Sequence, residues 1–173
     1  GSGGSTTANP AVGTVVTIGS VTKSLNAAAQ TLGLGGVTTG NAVTGIISNG
    51  VGTVSVVKSN TSSWTLSGNS TYTGTTAVLG GTLYVHGNNS AATGAVSVAG
   101  GALGGNGQLG GAITVGTGGT IIPGASIGTL TGAQGVSFTD GSTFGYELNS
   151  ALVTADLLRV GSDLTFTGTV TLT

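Results

Sequence analysis

Three sets of residues in this 173-residue chain have types and spacings that could do chemistry. The first is Gly105-Asn106-Gly107-Gln108-Leu109-Gly110, which fits the G-x-G-x-x-G spacing of a dinucleotide-binding turn. That turn works only when a helix follows, because the helix N-terminus holds the pyrophosphate. Here the continuation is Ala112-Ile113-Thr114-Val115-Gly116-Thr117-Gly118-Gly119. β-Branched residues interrupted by glycine disfavour a helix. The acidic residue expected about twenty positions on is missing too, since the first carboxylate after Gly110 is Asp140. The second set is Asp140, Glu147, Asp156 and Asp163. Sugar cleavage needs paired carboxyls, but the spacings of 7, 9 and 7 residues do not by themselves stack these four on one face. They read as solvated charge, with Asp156 and Arg159 able to pair at the surface. The third is His86, the one imidazole, between Val85 and Gly87, which offer no partner for a catalytic triad. It reads as a solvated turn residue.

Other sites fail on residue type. Gly104-Gly105-Asn106-Gly107-Gln108-Leu109 follows a calcium-binding nonapeptide until Leu109 stands where calcium needs a carboxylate. With no Cys there is no disulfide framework and no thiolate metal site. Lys23, Lys58 and Arg159 are the only basic side chains and lie far apart, so the clustered charge that nucleic acid requires is absent. We therefore expect no catalytic residue, no cofactor, no metal and no nucleic-acid partner. Asn60-Thr61-Ser62, Asn69-Ser70-Thr71 and Asn88-Asn89-Ser90 satisfy the glycosylation sequon, as expected by chance in a Thr- and Ser-rich chain. Trp64, Tyr72 and Tyr84 could form a platform for sugars, although packing roles between coils suit Trp64 and Tyr72 better.

The elements that would position such residues follow from composition and period. Glycine makes up 36 residues and charged residues 4%, yet 38% are apolar and the mean hydropathy is +0.43. Disordered chains combine low hydrophobicity with high net charge, so this one has the material to fold. No run approaches the ~18 continuous apolar residues of a membrane helix, so the chain is not expected to span a membrane. Gly1-Ser2-Gly3-Gly4-Ser5 lacks the charged and apolar regions of a signal peptide, consistent with a removed signal or a piece of a longer chain.

Val96-Ser97-Val98, Ile113-Thr114-Val115, Val136-Ser137-Phe138 and Leu164-Thr165-Phe166 each alternate apolar and polar, the period of a strand with one dry face. Each is followed by glycine or a Gly-bearing turn and another apolar residue. Taking Val78, Val98, Val115, Phe138 and Phe166 as equivalent gives steps of 20, 17, 23 and 28 residues. Propeller blades need four strands in about 40 residues, whereas these units hold two or three. The pattern predicts an all-β chain wound into a parallel β-solenoid with irregular coils of roughly 20 residues. Glycines, including those in Asn49-Gly50, Asn106-Gly107 and Asp140-Gly141, are expected at the corners. Leu25-Asn26-Ala27-Ala28-Ala29-Gln30 is too short for a stable helix and reads as strand or loop.

The stretch from Trp64 through Leu66, Gly68, Tyr72 and Gly74 to Thr76, followed by Gly81-Thr82-Leu83, resembles the autotransporter-associated β-strand repeat of bacterial surface passengers. Gly45 to Gly52 with Lys58 resembles its lead-in, and Pro123 to Leu130 and Ala155 to Gly161 resemble segments that follow it. The resemblance implies a right-handed parallel β-helix, displayed outside the cell, without catalytic residues. Proteins of this type usually carry a C-terminal barrel translocator, and Val170-Thr171-Leu172-Thr173 closes this sequence without one, leaving a processed fragment and another export route open. Residues 1–20 match nothing in the family and read as a Gly/Ser/Thr-rich lead or assembly arm, with residues 21–173 as one solenoid domain. The expected function is a non-enzymatic extracellular structural protein. Val170-Thr171-Leu172 has no charge or proline to protect its edge, so the coil ends should pair with another copy, into homo-oligomers or filaments. An adhesin binding surface glycans is the alternative, and a polysaccharide-cleaving enzyme stands behind both.

Overall fold

The computed structural model describes residues 4–22, 28–152 and 154–173. Most of the chain is strand and turn, and the described residues contain no helix. Alternation at period two with glycine breaks produces eight successive coils. The first holds β1 (Gly4–Ala8), β2 (Thr17–Ile18) and β3 (Val21–Thr22). The second holds β4 (Gln30–Leu34), β5 (Asn41–Val43) and β6 (Ile47–Ser48). Next come β7 (Val54–Lys58) and β8 (Ser63–Leu66), then β9 (Thr76–Val78), β10 (Thr82–Val85) and β11 (Asn88–Asn89). The fifth coil is β12 (Val96–Val98), β13 (Ala102–Gly105) and β14 (Gln108–Leu109). The sixth is β15 (Ile113–Val115), β16 (Thr120–Pro123) and β17 (Thr129–Gly132). The seventh runs β18 (Val136–Phe138), β19 (Ser142–Phe144), a hairpin of β20 (Leu148–Asn149) and β21 (Thr154–Ala155), then β22 (Leu157–Val160). The last holds β23 (Leu164–Phe166) and β24 (Val170–Leu172).

Corresponding strands of successive coils pair in parallel. One face is β1-β4-β7-β9-β12-β15-β18-β23, the second is β2-β5-β8-β10-β13-β16-β19-β24, and the third carries β3-β6 and β11-β14-β17-β22. This is a three-sided parallel β-helix. The β20-β21 pair alone is antiparallel among the named strand pairs of the described residues. Register on the first face aligns Val78, Val98, Val115, Phe138 and Phe166, the equivalence that the sequence steps predict. Residues 4–18, which fall in the stretch read as a lead, supply β1 and β2, whose residues pair one to one with β4 and β5. Gly, Ser and Thr show no apolar alternation there, but a parallel ladder forms through backbone groups whatever the side chain. Of the Ala-rich stretch, residues 25–27 lie outside the described residues, and Gln30 opens β4.

Side chains at alternate positions fill one narrow core. A column on the second face runs Trp64, Leu83, Leu103, Ile121, Phe144 and Leu172 in register, and its first four members are fully buried. On the first face Ser97 and Thr114 alternate with buried Val96, Val98, Ile113 and Val115, point outward and are exposed. Glycine has two jobs. At corners such as Gly81 (φ 62°) and Gly141 (φ 72°) it takes the left-handed backbone that other residues resist. Gly107 has no such φ: a Cβ there would strike the carbonyl of Gly87, one at Gly87 the carbonyl of Gly68, and one at Gly68 the carbonyl of Gly45. That column is glycine because neighbouring coils touch backbone to backbone, so the expectation that glycines mark corners is correct for only part of them.

Candidate functional site

Several polar residues of the middle coils are consumed by structure. Lys58 stands in register between Leu34 and Val78, at a core position, and is fully buried. Its Nζ donates to the carbonyls of Ser59 (2.6 Å), Gly80 (3.0 Å) and Asn60 (3.3 Å). Burial lowers its pKa to about 8, because a charged amine loses its hydration there. The Trp64 indole donates to the Gly35 carbonyl at 2.9 Å, and the buried Tyr72 hydroxyl is 2.7 Å from Thr76 Oγ1. Burial pushes the Tyr72 phenol above its usual range, opposed by that bond to Thr76. Neither ring is available to a ligand. The Ser62 hydroxyl of the first sequon is buried on the Gly35 carbonyl, and Asn69 and Asn88 accept backbone N–H groups of Asn88 and Ser90.

Tyr84 differs, because it projects from the second face between the inward-facing Leu83 and Val85. Its register neighbours are Thr65 on one side and Gly104, followed by Ile122, on the other, so only the Gly104 flank of the ring lacks an adjoining side chain. The His86 ring lies parallel to it (interplanar angle 2°, centroids 6.3 Å apart), and His86 Nδ1 is hydrogen-bonded to Asn106. The imidazole therefore has partners, supplied by the next coil twenty residues away rather than by its chain neighbours.

The four carboxylates divide. Asp140 accepts the Thr169 N–H at the β18-β19 corner, and Asp163 lies just before β23. Glu147 and Asp156 come together at the base of the hairpin. Asp156 accepts Gly128 N–H on one oxygen and Glu147 N–H on the other, both at 2.8 Å. The surface pair with Arg159 is thus replaced: Arg159 sits on β22 beside Thr131, while Asp156 spends both oxygens on backbone donors. Among the described residues, no group of three or more His, Cys, Asp or Glu gathers as metal ligands would, and no helix is long and apolar enough to cross a membrane.

A cavity of about 270 Å³ opens here, lined chiefly by Tyr84, Ile122, Ser126, Tyr146, Glu147 and Asp156. The Tyr146 ring leans on Phe144 at 6.1 Å with an interplanar angle of 25°. Sequence reasoning considered Tyr84 and missed Tyr146. The one signal was the 28-residue step from Phe138 to Phe166, the longest of the four, which marks an insertion.

The fold defines a class, the parallel β-helix. Residues 56–85 match the passenger-associated-transport-repeat, so the chain carries an autotransporter passenger repeat. The match begins within β7 and ends with β10, taking in Lys58, Trp64, Tyr72 and Gly81. Over 120 residues the chain is 40% identical to the Adhesin BmaC autotransporter of Brucella suis biovar 1 (strain 1330), covering 61% of this chain. The aligned part is 3% of that relative's length. No solved structure matches the chain. The repeat and the relative indicate a surface-exposed or extracellular protein with a passenger-type role.

Proposed function

We propose that this chain is a non-enzymatic structural stretch of a surface passenger, a stiff column that associates end to end. The observation that carries the reading is the eighth coil. Its inward-facing Leu164, Phe166 and Leu172 are 46%, 53% and 64% exposed, although Val136 and Phe138, the register partners of Leu164 and Phe166, are buried. At the opposite end β1 is an unpaired edge, and unprotected edges accept further strands. In this reading residues 21–173 are one solenoid domain, and the first 20 residues, β1 included, are the arm on which another coil stacks. When the chain is isolated, that coil is a second copy. Sedimentation velocity over a concentration series should show assemblies that lengthen with concentration, with filaments by electron microscopy. Phe166→Asp should return the chain to monomer. Strictly monomeric behaviour at the highest concentration overturns the proposal.

A second reading is favoured by the Tyr84 and Tyr146 cavity: an adhesin that binds surface glycans. The name of the Brucella relative, an adhesin, points the same way. A glycan array probed with the purified chain tests it, and the absence of any hit removes it.

A further inference from the structure

We propose that the cavity at the base of the β20-β21 hairpin holds one sugar ring of an uncharged glycan. The proposal rests on the adhesin reading and gives it a site and a ligand class. Among the described residues one hairpin, β20-β21, branches from the coils, and it builds this cavity, bringing Tyr146 and Glu147 onto the face that carries Tyr84. Binding residues commonly lie on such loops, held by a rigid scaffold.

Both aromatic rings are set before a ligand arrives. Tyr84 is aligned with His86, itself fixed by Asn106, and Tyr146 rests on Phe144. Flat rings already held in place lose little freedom on binding. Gly104, opposite Tyr84, keeps one flank of the ring open, and a Cβ there would press on the Ile122 carbonyl and side chain. A volume of about 270 Å³ falls just below the range of drug-sized pockets and suits a single ring rather than a long segment.

Charge then selects the ligand. Glu147 and Asp156 are the charged residues of the lining, and both are acids. Each Asp156 oxygen accepts one backbone donor, and these two bonds fix the chain at Glu147. The exposed Glu147 carboxylate is left as an acceptor for ligand hydroxyls, and an ionised carboxylate accepts but cannot donate. Sugars bearing a carboxylate or sulfate would meet like charge, whereas neutral sugars offer the hydroxyls that Glu147 lacks.

The test uses NMR titration of the chain with neutral, sialylated and sulfated oligosaccharides, and with a lysine-rich peptide. Neutral glycans should shift the Tyr84 and Tyr146 ring signals, leave buried Tyr72 unmoved, and bind at least tenfold more tightly than acidic ones. Tyr146→Ala and Tyr84→Ala should each weaken binding tenfold or more with an unchanged melting temperature. Glu147→Gln should narrow the gap between neutral and acidic glycans. Neutral-glycan binding that survives both tyrosine variants overturns this site while leaving the adhesin reading standing. No binding of any glycan overturns both. Preference for the peptide or for acidic glycans overturns the ligand class.

Discussion

Phe138 and Phe166 are the same residue type in register on neighbouring coils, their rings 5.3 Å apart, yet one is fully buried and the other 53% exposed. The difference lies in what covers them. Phe138 has β15 above it and β23 below, whereas Phe166 closes the stack from one side. In this fold a side chain's burial comes from the next coil rather than from its own strand, so stability is distributed as nearest-neighbour contacts along one dimension. The middle coils show how far that goes: even Lys58 is enclosed, because the coils on both sides supply aliphatic neighbours, and its own coil and the next supply carbonyls for its head.

The comparison can be broken most severely at Leu103, which is fully buried in the fifth coil. Leu103→Asp places an unpaired charge in the core and should cost about 4 kcal/mol or more. Chemical denaturation that finds it close to wild type would show the strand faces to be misassigned. Phe138→Ala should follow, at about 3–5 kcal/mol, while Phe166→Ala should cost roughly 1 kcal/mol because half its surface is already wet. Equal losses at the two positions would mean that the eighth coil is covered in solution, as the self-association proposal requires at high concentration, so the pair should be measured at several concentrations.

Lys58→Met should destabilise by about 1–3 kcal/mol, since the carbonyls of Ser59, Asn60 and Gly80 lose their charged donor. Its pH dependence has a definite sign. The folded Lys58 releases its proton at about 8 and the unfolded one at 10.5, so between these values the unfolded chain holds more protons and stability rises with pH. The wild type should therefore gain melting temperature relative to Lys58→Met from pH 8 towards 10. Above that the raised phenol of Tyr72 acts oppositely, because the unfolded tyrosine ionises first. Thr114→Asp, on the exposed face of the sixth coil, should stay within about 0.5 kcal/mol of wild type.

Much of the column is legible in the sequence because its inner strands alternate. The four segments at Val96, Ile113, Val136 and Leu164 become β12, β15, β18 and β23, and their spacing fixes the register. Legibility fades where this signal thins. The third face is built of strands such as β11 and β14, two residues each, too short for alternation to show. In the last coil Leu172, rather than Val170, lies opposite Phe144, a shift that spacing from Gly168 does not convey. Lys58 was invisible because a lysine is expected in water, and its three carbonyl partners come from corners of two coils. The approach of Glu147 to Asp156 was hidden because linear spacing says nothing of a hairpin that folds the chain back on itself.

That hairpin carries a last implication. The chain between paired inner strands lengthens from 17 residues at Val98 to Val115 up to 28 at Phe138 to Phe166, while the pairing stays one to one. Each rung therefore tolerates sideways growth without disturbing its neighbours, and doubling a loop adds only about 0.6 kcal/mol of closure entropy. A scaffold of this kind can acquire or exchange a recognition branch at a single rung while the shaft remains in step.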